Sequence, residues 1–230
     1  MKKGFKLLTL LPAVLLAASC SGSSKYMEKE TVNVVIISGQ SNAAGCKSAD
    51  FLQSSMPDKY PEYLAGYEDV KIAFSNWTVD YMKPERTKIF QNGSPKGKFV
   101  KVQLGQGNVN TNFGPEVGIA EELHEKWGNK LYIIKVPCGA SNLAYDWSLP
   151  TDEMFVTLVK FVKNRMQDLE NEGYQPYLRA FCWMQGEGDS YDGYYQYYFD
   201  NLQRLSAPEA VPGYGPTRSA WQAAGSQSNG

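Results

Sequence analysis

Histidine is nearly absent from this 230-residue chain: the one copy is His124. A metal site built on several imidazoles is therefore excluded, and a serine nucleophile is left short of its usual base. The four cysteines contain no Cys-x-x-Cys pair, so a zinc ribbon and a thioredoxin-like redox pair are excluded too. Excess charge of one sign is also missing. Lysine and arginine number 23 against 24 acidic residues, and a net charge of −1 gives no long-range field to gather nucleic acid. There is no P-loop and no basic aromatic cluster. Gly105-Gln106-Gly107-Asn108 starts like a dinucleotide loop but lacks the third glycine and a following helix. No cofactor, metal or nucleic-acid partner is expected. Finally, no apolar run reaches the ~20 residues needed to span a bilayer.

The longest apolar run, Leu7 to Ala18, follows Lys2, Lys3 and Lys6 and is interrupted by Pro12. Residues 1–19 read as an export signal. The signal ends Leu16-Ala17-Ala18-Ser19-Cys20, which resembles a bacterial lipobox with its leucine one place further upstream than usual. Cys20 would then carry lipid, residues 20–30 would form a polar tether, and the protein would sit on the bacterial cell envelope, held to the membrane by that anchor. Plain signal-peptidase cleavage is the other reading. Export implies an oxidising compartment. Cys46 and Cys138 each follow a predicted strand, so a disulfide between them is one option; three buried thiols, with Cys182, is the simpler one.

Strand patterns occur at Val32–Ser38, Val70–Ser75, Phe99–Leu104, Lys130–Val136 and Tyr177–Met184. Helix patterns lie between them. One starts at Gly114-Pro115-Glu116 and runs to Trp127, with Val117, Ala120, Leu123 and Trp127 on one face. A longer one is capped at Thr151-Asp152-Glu153 and ends at Gly173. A third is predicted over Tyr191–Leu205, with Tyr191, Tyr194, Tyr195, Tyr198 and Leu202 as its stripe. Apolar strands alternating with amphipathic helices predict a parallel sheet covered on both faces. The least regular span, Asp50 to Gly107, is expected to hold a hairpin and loops that shape a pocket. One domain is thus predicted over residues 31–205. The tail, residues 206–230, is rich in Ser, Ala, Pro and Gly without periodicity and is predicted to be disordered. The 15 tyrosines suit either sugar stacking or core filling.

Three segments carry chemistry. Val32 to Ser38 ends abruptly at Gly39-Gln40-Ser41-Asn42, which places a serine at the carboxyl end of a buried strand and at the start of a helix, where free N–H groups favour an oxyanion. The alternative is that Ser41 is only a helix cap. Phe113-Gly114-Pro115-Glu116 sets a glycine N–H at a helix mouth. Trp183-Met184-Gln185-Gly186-Glu187-Gly188-Asp189 follows an apolar strand with polar and glycine residues, offering the Gln185 amide as a donor and Glu187 to orient neighbours or bind substrate.

Together these blocks resemble the SGNH hydrolases, in particular the sialate O-acetylesterase-like group that includes carbohydrate esterase family six. Pro137-Cys138-Gly139-Ala140-Ser141-Asn142, with Trp147, looks like that group's glycine-rich loop and tryptophan. The resemblance runs from about Val32 to Leu205. It implies a three-layer αβα, flavodoxin-like domain with a mostly parallel sheet that hydrolyses O-acetyl esters of sugars such as xylan or sialic acid. Ser41 would be the nucleophile. Its own N–H, the Gly114 N–H and the Gln185 amide would form the oxyanion hole. Gln40, Asn42, Glu116, Asn142, Trp147, Glu187 and Asp189 would bind substrate or shape the site, with neither Glu187 nor Asp189 transferring protons. The family pattern also includes a last strand and an Asp-x-x-His segment, which this sequence does not contain. His124 stands about ten residues into its helix, ~15 Å from the Gly114 end at 1.5 Å per residue, and is a poor base. The chain is therefore expected to be shortened at its carboxyl end and weakly active or inactive. The competing readings are a sugar-binding lipoprotein without turnover and a non-functional fragment.

Overall fold

The computed structural model describes residues 29–127, 130–147, 152–191 and 193–205. The export signal, Cys20, all but the end of the tether, Thr151 and the tail after Leu205 lie outside the described residues. In chain order the elements are β1 (Glu30–Gly39), α1 (Ser41–Ala44), β2 (Lys47–Ser48), α2 (Ala49–Ser55), α3 (Tyr60–Ala65), β3 (Tyr67–Val79), β4 (Lys88–Gly93), β5 (Val100–Val102), β6 (Asn112–Phe113), α4 (Pro115–Trp127), β7 (Leu131–Gly139), α5 (Leu143–Asp146), α6 (Glu153–Asn171), β8 (Tyr174–Met184) and α7 (Tyr198–Leu205).

The main sheet has the order β4-β3-β7-β1-β8, with β5 also paired to β3. Strands β3, β7, β1 and β8 run parallel, and β4 and β5 run antiparallel to β3. Residue alternation divides β1 between two cores. Val32, Val34 and Ile36 meet Ile134 and Val136 under α6, which contributes Leu158, Val162, Met166 and Leu169. Val35 and Ile37 meet Ile72 and Ile133 on the other face, under Val117 and Ala120 of α4. Each fully buried side chain of this kind stabilises the fold by roughly 1.5–3 kcal/mol. The outcome is the three-layer αβα arrangement, with the carboxyl ends of β1, β7 and β8 meeting at one rim.

Two expectations are corrected. The third helix does not begin at Tyr191: a 3₁₀ turn occupies Tyr194–Tyr197, and α7 is confined to Tyr198–Leu205. Gly193 sits at φ +78, a left-handed conformation that a right-handed helix does not accommodate. Tyr191 and Tyr195 accordingly face solvent. Cys46, Cys138 and Cys182 are all free, as in the simpler of the two cysteine options, but only Cys138 is buried: Cys46 is exposed and Cys182 partly so. Cys138 belongs to the core under α6, whereas Cys46 follows α1 beside Lys135 on the α4 side, so the sheet separates the two thiols.

Candidate active site

The site begins at the last residue of β1. Gly39 has φ +134, and a Cβ there would lie 2.0 Å from the Met184 carbonyl oxygen, so only glycine lets β1 end against β8. The next residue, buried Gln40, is fixed from three sides. Its N–H donates to the Met184 carbonyl at 2.9 Å. Its Oε1 accepts from Gln185 Nε2 at 3.2 Å and from the Gly188 N–H at 3.1 Å. Ser41 then opens α1, half-buried, and among the described residues no side chain is hydrogen-bonded to its hydroxyl. Asn42 Nδ2 donates to Glu187 Oε1. The first and third sequence blocks are thus brought together.

Gln185 is a hub rather than a free donor. Its Nε2 also donates to Asp189 Oδ2 at 2.5 Å and to the Ser141 carbonyl at 3.4 Å. Its main-chain carbonyl accepts from the Tyr198 hydroxyl at 2.6 Å. Asp189, also buried, accepts the Leu143 N–H at 2.8 and 3.0 Å and the Ala144 N–H at 3.2 Å, tying the start of α5 to the end of β8. Asn142 caps α5, its Oδ1 accepting the Tyr145 N–H at 2.9 Å, and its Nδ2 makes no hydrogen bond among the described residues. Asn142 lines the cleft, so this amide is an available donor.

The second block lies behind α1. Gly114 packs its Cα against Gly45, and its N–H donates to Glu116 Oε1 at 2.9 Å. The Glu116 carboxylate also accepts from Lys135 Nζ at 2.6 Å, and both side chains are completely buried. Lys135 donates further to the Gln106 carbonyl at 2.9 Å. Burial pushes the Lys135 ammonium pKa down, and the neighbouring Glu116 charge opposes that shift. Partial desolvation pushes the pKa of the surface-exposed Cys46 thiol up, against the pull of Lys135, and the thiol donates to the Ser41 carbonyl at 3.4 Å. The Gly114 and Gln185 protons expected to face an oxyanion are therefore engaged with Glu116, Asp189, Gln40 and Ser141.

A cleft of about 400 Å³ opens beside Ser41. Gln40, Asn142, Glu187 and Gly188 line it, together with Tyr81, Arg86, Tyr145, Tyr191 and Tyr194; Ser41 itself does not. Trp147 was expected to be able to touch a ligand. Instead it is fully buried, donates Nε1 to Ser141 Oγ at 2.8 Å and packs edge-on against Trp183. Glu116 and Asp189 are equally buried, so all three shape the site from beneath. His124 is remote, with Nδ1 3.6 Å from Asp69 and its ring against Tyr67. Sequence reasoning missed Tyr81 and Arg86. The only hint was the irregular span containing them, which the structure turns into the β3–β4 hairpin and its connecting loop.

Residues 31–208 match the family model described as carbohydrate esterase, sialic acid-specific acetylesterase. A solved protein from Arabidopsis thaliana is similar with TM-score 0.50 and 16% identity, over 75% of this chain and 65% of that one. NanS aligns with TM-score 0.47 and 15% identity over 78% and 61% of the two chains. A carbohydrate acetylesterase from Xanthomonas citri aligns with TM-score 0.39 and 15% identity over 76% and 36%. The chain thus spans less than two thirds of the length of these solved structures. No curated protein matches it. The Arabidopsis likeness shows the fold. The family match takes in Ser41, Gly114, Asn142 and Gln185, and by it the chain belongs to the sialic acid-specific acetylesterase family of carbohydrate esterases.

Proposed function

We propose that this chain is built to remove the acetyl group from an O-acetylated carbohydrate, with Ser41 as nucleophile. The observation that supports this reading is the triple fixation of Gln40, the residue before Ser41, on the wall of a tyrosine-lined cleft. The Ser41 oxygen would attack the acetyl carbonyl carbon. The bond to the sugar oxygen would break and the sugar would leave with a proton; water would then release acetate from the acetyl-serine. Negative charge on the carbonyl oxygen would meet the Ser41 N–H, which at the start of α1 has no acceptor among the described residues, and the Asn142 amide. One such donor is worth about 3–4 kcal/mol of the barrier. Gly114 and Gln185 would act by holding the pieces around that position.

The one histidine of this sequence, His124, lies against Asp69 and Tyr67 rather than at Ser41, and general-base help is worth ~10²–10⁴-fold. Turnover is therefore expected to be slow and to rise with added imidazole. Acetate release from acetylated xylan fragments and O-acetyl sialosides, with and without imidazole, tests this. Release that is lost in Ser41→Ala supports the reading, and release unchanged in that variant overturns it. The same missing base favours a second reading, sugar binding without turnover, for which calorimetry would register binding with no acetate released. Envelope attachment through lipid on Cys20 belongs to this proposal as well; palmitate labelling that persists in Cys20→Ser would refute it.

A further inference from the structure

Resting on that carbohydrate reading, we propose that Arg86 is a specificity-determining residue of the cleft, reading a carboxylate on the sugar that is bound there. Arg86 lies in the loop between β3 and β4 at φ +51, and Ala140, also lining the cleft, lies at φ +63. Among the described residues only Lys96 shares this left-handed backbone outside glycine. Such conformations persist where surrounding structure enforces them, and they gather at functional sites. Here the enforcing contacts are visible. The Tyr81 hydroxyl donates to the Ala140 carbonyl at 2.6 Å, and its ring lies 5.9 Å from the Arg86 guanidinium.

Charge makes the case more specific. The completely buried Asp146 carboxylate accepts from Arg86 Nη2 at 2.6 Å, from Lys88 Nζ at 2.6 Å and from the Asn142 N–H at 2.8 Å. One carboxylate thus serves two cations, and among the described residues neither Arg86 nor Lys88 forms an ion pair with any other anion. Lys88 is nearly buried and points its charge inward, whereas Arg86 is 29% exposed. Its Nη1 makes no hydrogen bond among the described residues. The guanidinium is held by Asp146 through Nε and Nη2, and an open N–H edge remains on a residue lining the cleft. Fixed guanidinium forks match carboxylates.

Among the described residues the other charged group lining the cleft is Glu187, which is bonded to Asn42, next to the proposed nucleophile. A sugar carboxylate would be repelled there and drawn to Arg86, which would turn the rest of the sugar towards Ser41. Tyr145 and Tyr194, packed edge to face at 5.1 Å, supply apolar surface for the ring.

Binding measured without catalysis separates this proposal from the esterase reading. Calorimetry would compare N-acetylneuraminic acid and glucuronic acid with neutral N-acetylmannosamine and xylobiose. The expected result is acid sugars bound about 10-fold more tightly than neutral ones, with the ratio collapsing in Arg86→Gln and falling part-way in Arg86→Lys. Arg86→Lys keeps a cation beside Asp146 and so guards against a folding defect. Equal binding of acid and neutral sugars by the unaltered protein, or an unchanged ratio in both variants, overturns the proposal while leaving the esterase reading standing. Preference for both acids assigns the effect to the carboxylate alone, and preference for N-acetylneuraminic acid alone adds recognition of its remaining groups; either supports Arg86 as the reader. Failure to bind any sugar sinks the carbohydrate reading together with this one. Sugar binding with no Ser41-dependent acetate release removes only the esterase step.

Discussion

Strands β7 and β8 flank β1 on opposite sides, run in the same direction and look equally apolar in the sequence. In the structure all nine residues of β7 are buried, while of the eleven in β8 only Leu178 is. The difference comes from neighbours. β7 lies between β3 and β1, whereas among the described residues β8 pairs with β1 alone. The centre of the sheet therefore holds scaffold, including the enclosed Lys135–Glu116 pair behind Gly114. The edge holds the polar connections of the site, kept by the side-chain bonds of Gln185, Glu187 and the buried Asp189. Rigid support and adjustable chemistry are separated by one strand.

The largest effect should come from the central strand's ion pair. Glu116→Ala leaves the Lys135 ammonium buried and unpaired, at an expected cost of about 3–5 kcal/mol in urea unfolding. Replacing both residues with Met should recover most of that loss, and a small cost for the single change would refute the enclosed pair. Next, Ile134→Ala in β7 should cost about 2–5 kcal/mol. Tyr177→Ala in β8, where the side chain is 47% exposed, should stay within about 0.5 kcal/mol. Equal losses for these two truncations would erase the contrast between the strands. Between them falls Gln185→Leu, at about 1–2 kcal/mol, since Asp189 and Gln40 keep their other partners. Its effect should be greater on Ser41 acylation than on the unfolding midpoint. The reverse pattern would mean that Gln185 is only structural.

Much of this was legible in the sequence because local rules and tertiary packing agreed. The helix starting at Pro115 matched its pattern from first residue to last, since a Pro-Glu start, an apolar stripe and a core to receive it coincide. The predicted Tyr191 helix failed where one backbone conformation overruled a periodic stripe: Gly193 interrupts it. At the site, the blocks around Ser41 and Gln185 were visible because each follows a strand. Which protons remain free was not: the Gly114 N–H is engaged by the side chain of Glu116 only two residues on, which depends on that side chain's rotamer, and Gln185 meets Ser141 and Gln40, distant in sequence, only through the sheet. Trp147 looked like a ligand platform for the same reason; its burial is set by Trp183, 36 positions along the chain. Arg86 and Lys88 could not be singled out at all, since Asp146 gathers them from another segment.

The account stands most directly on the hydroxyl at the end of β1. Incubating the protein with p-nitrophenyl acetate and mapping the product by peptide mass spectrometry would locate any transferred acetyl group. Acetylation of Ser41, absent in Ser41→Ala and weakened in Asn142→Ala, is the expected result. Acetyl groups confined to lysines or tyrosines, with residue 41 unmodified, would contradict it.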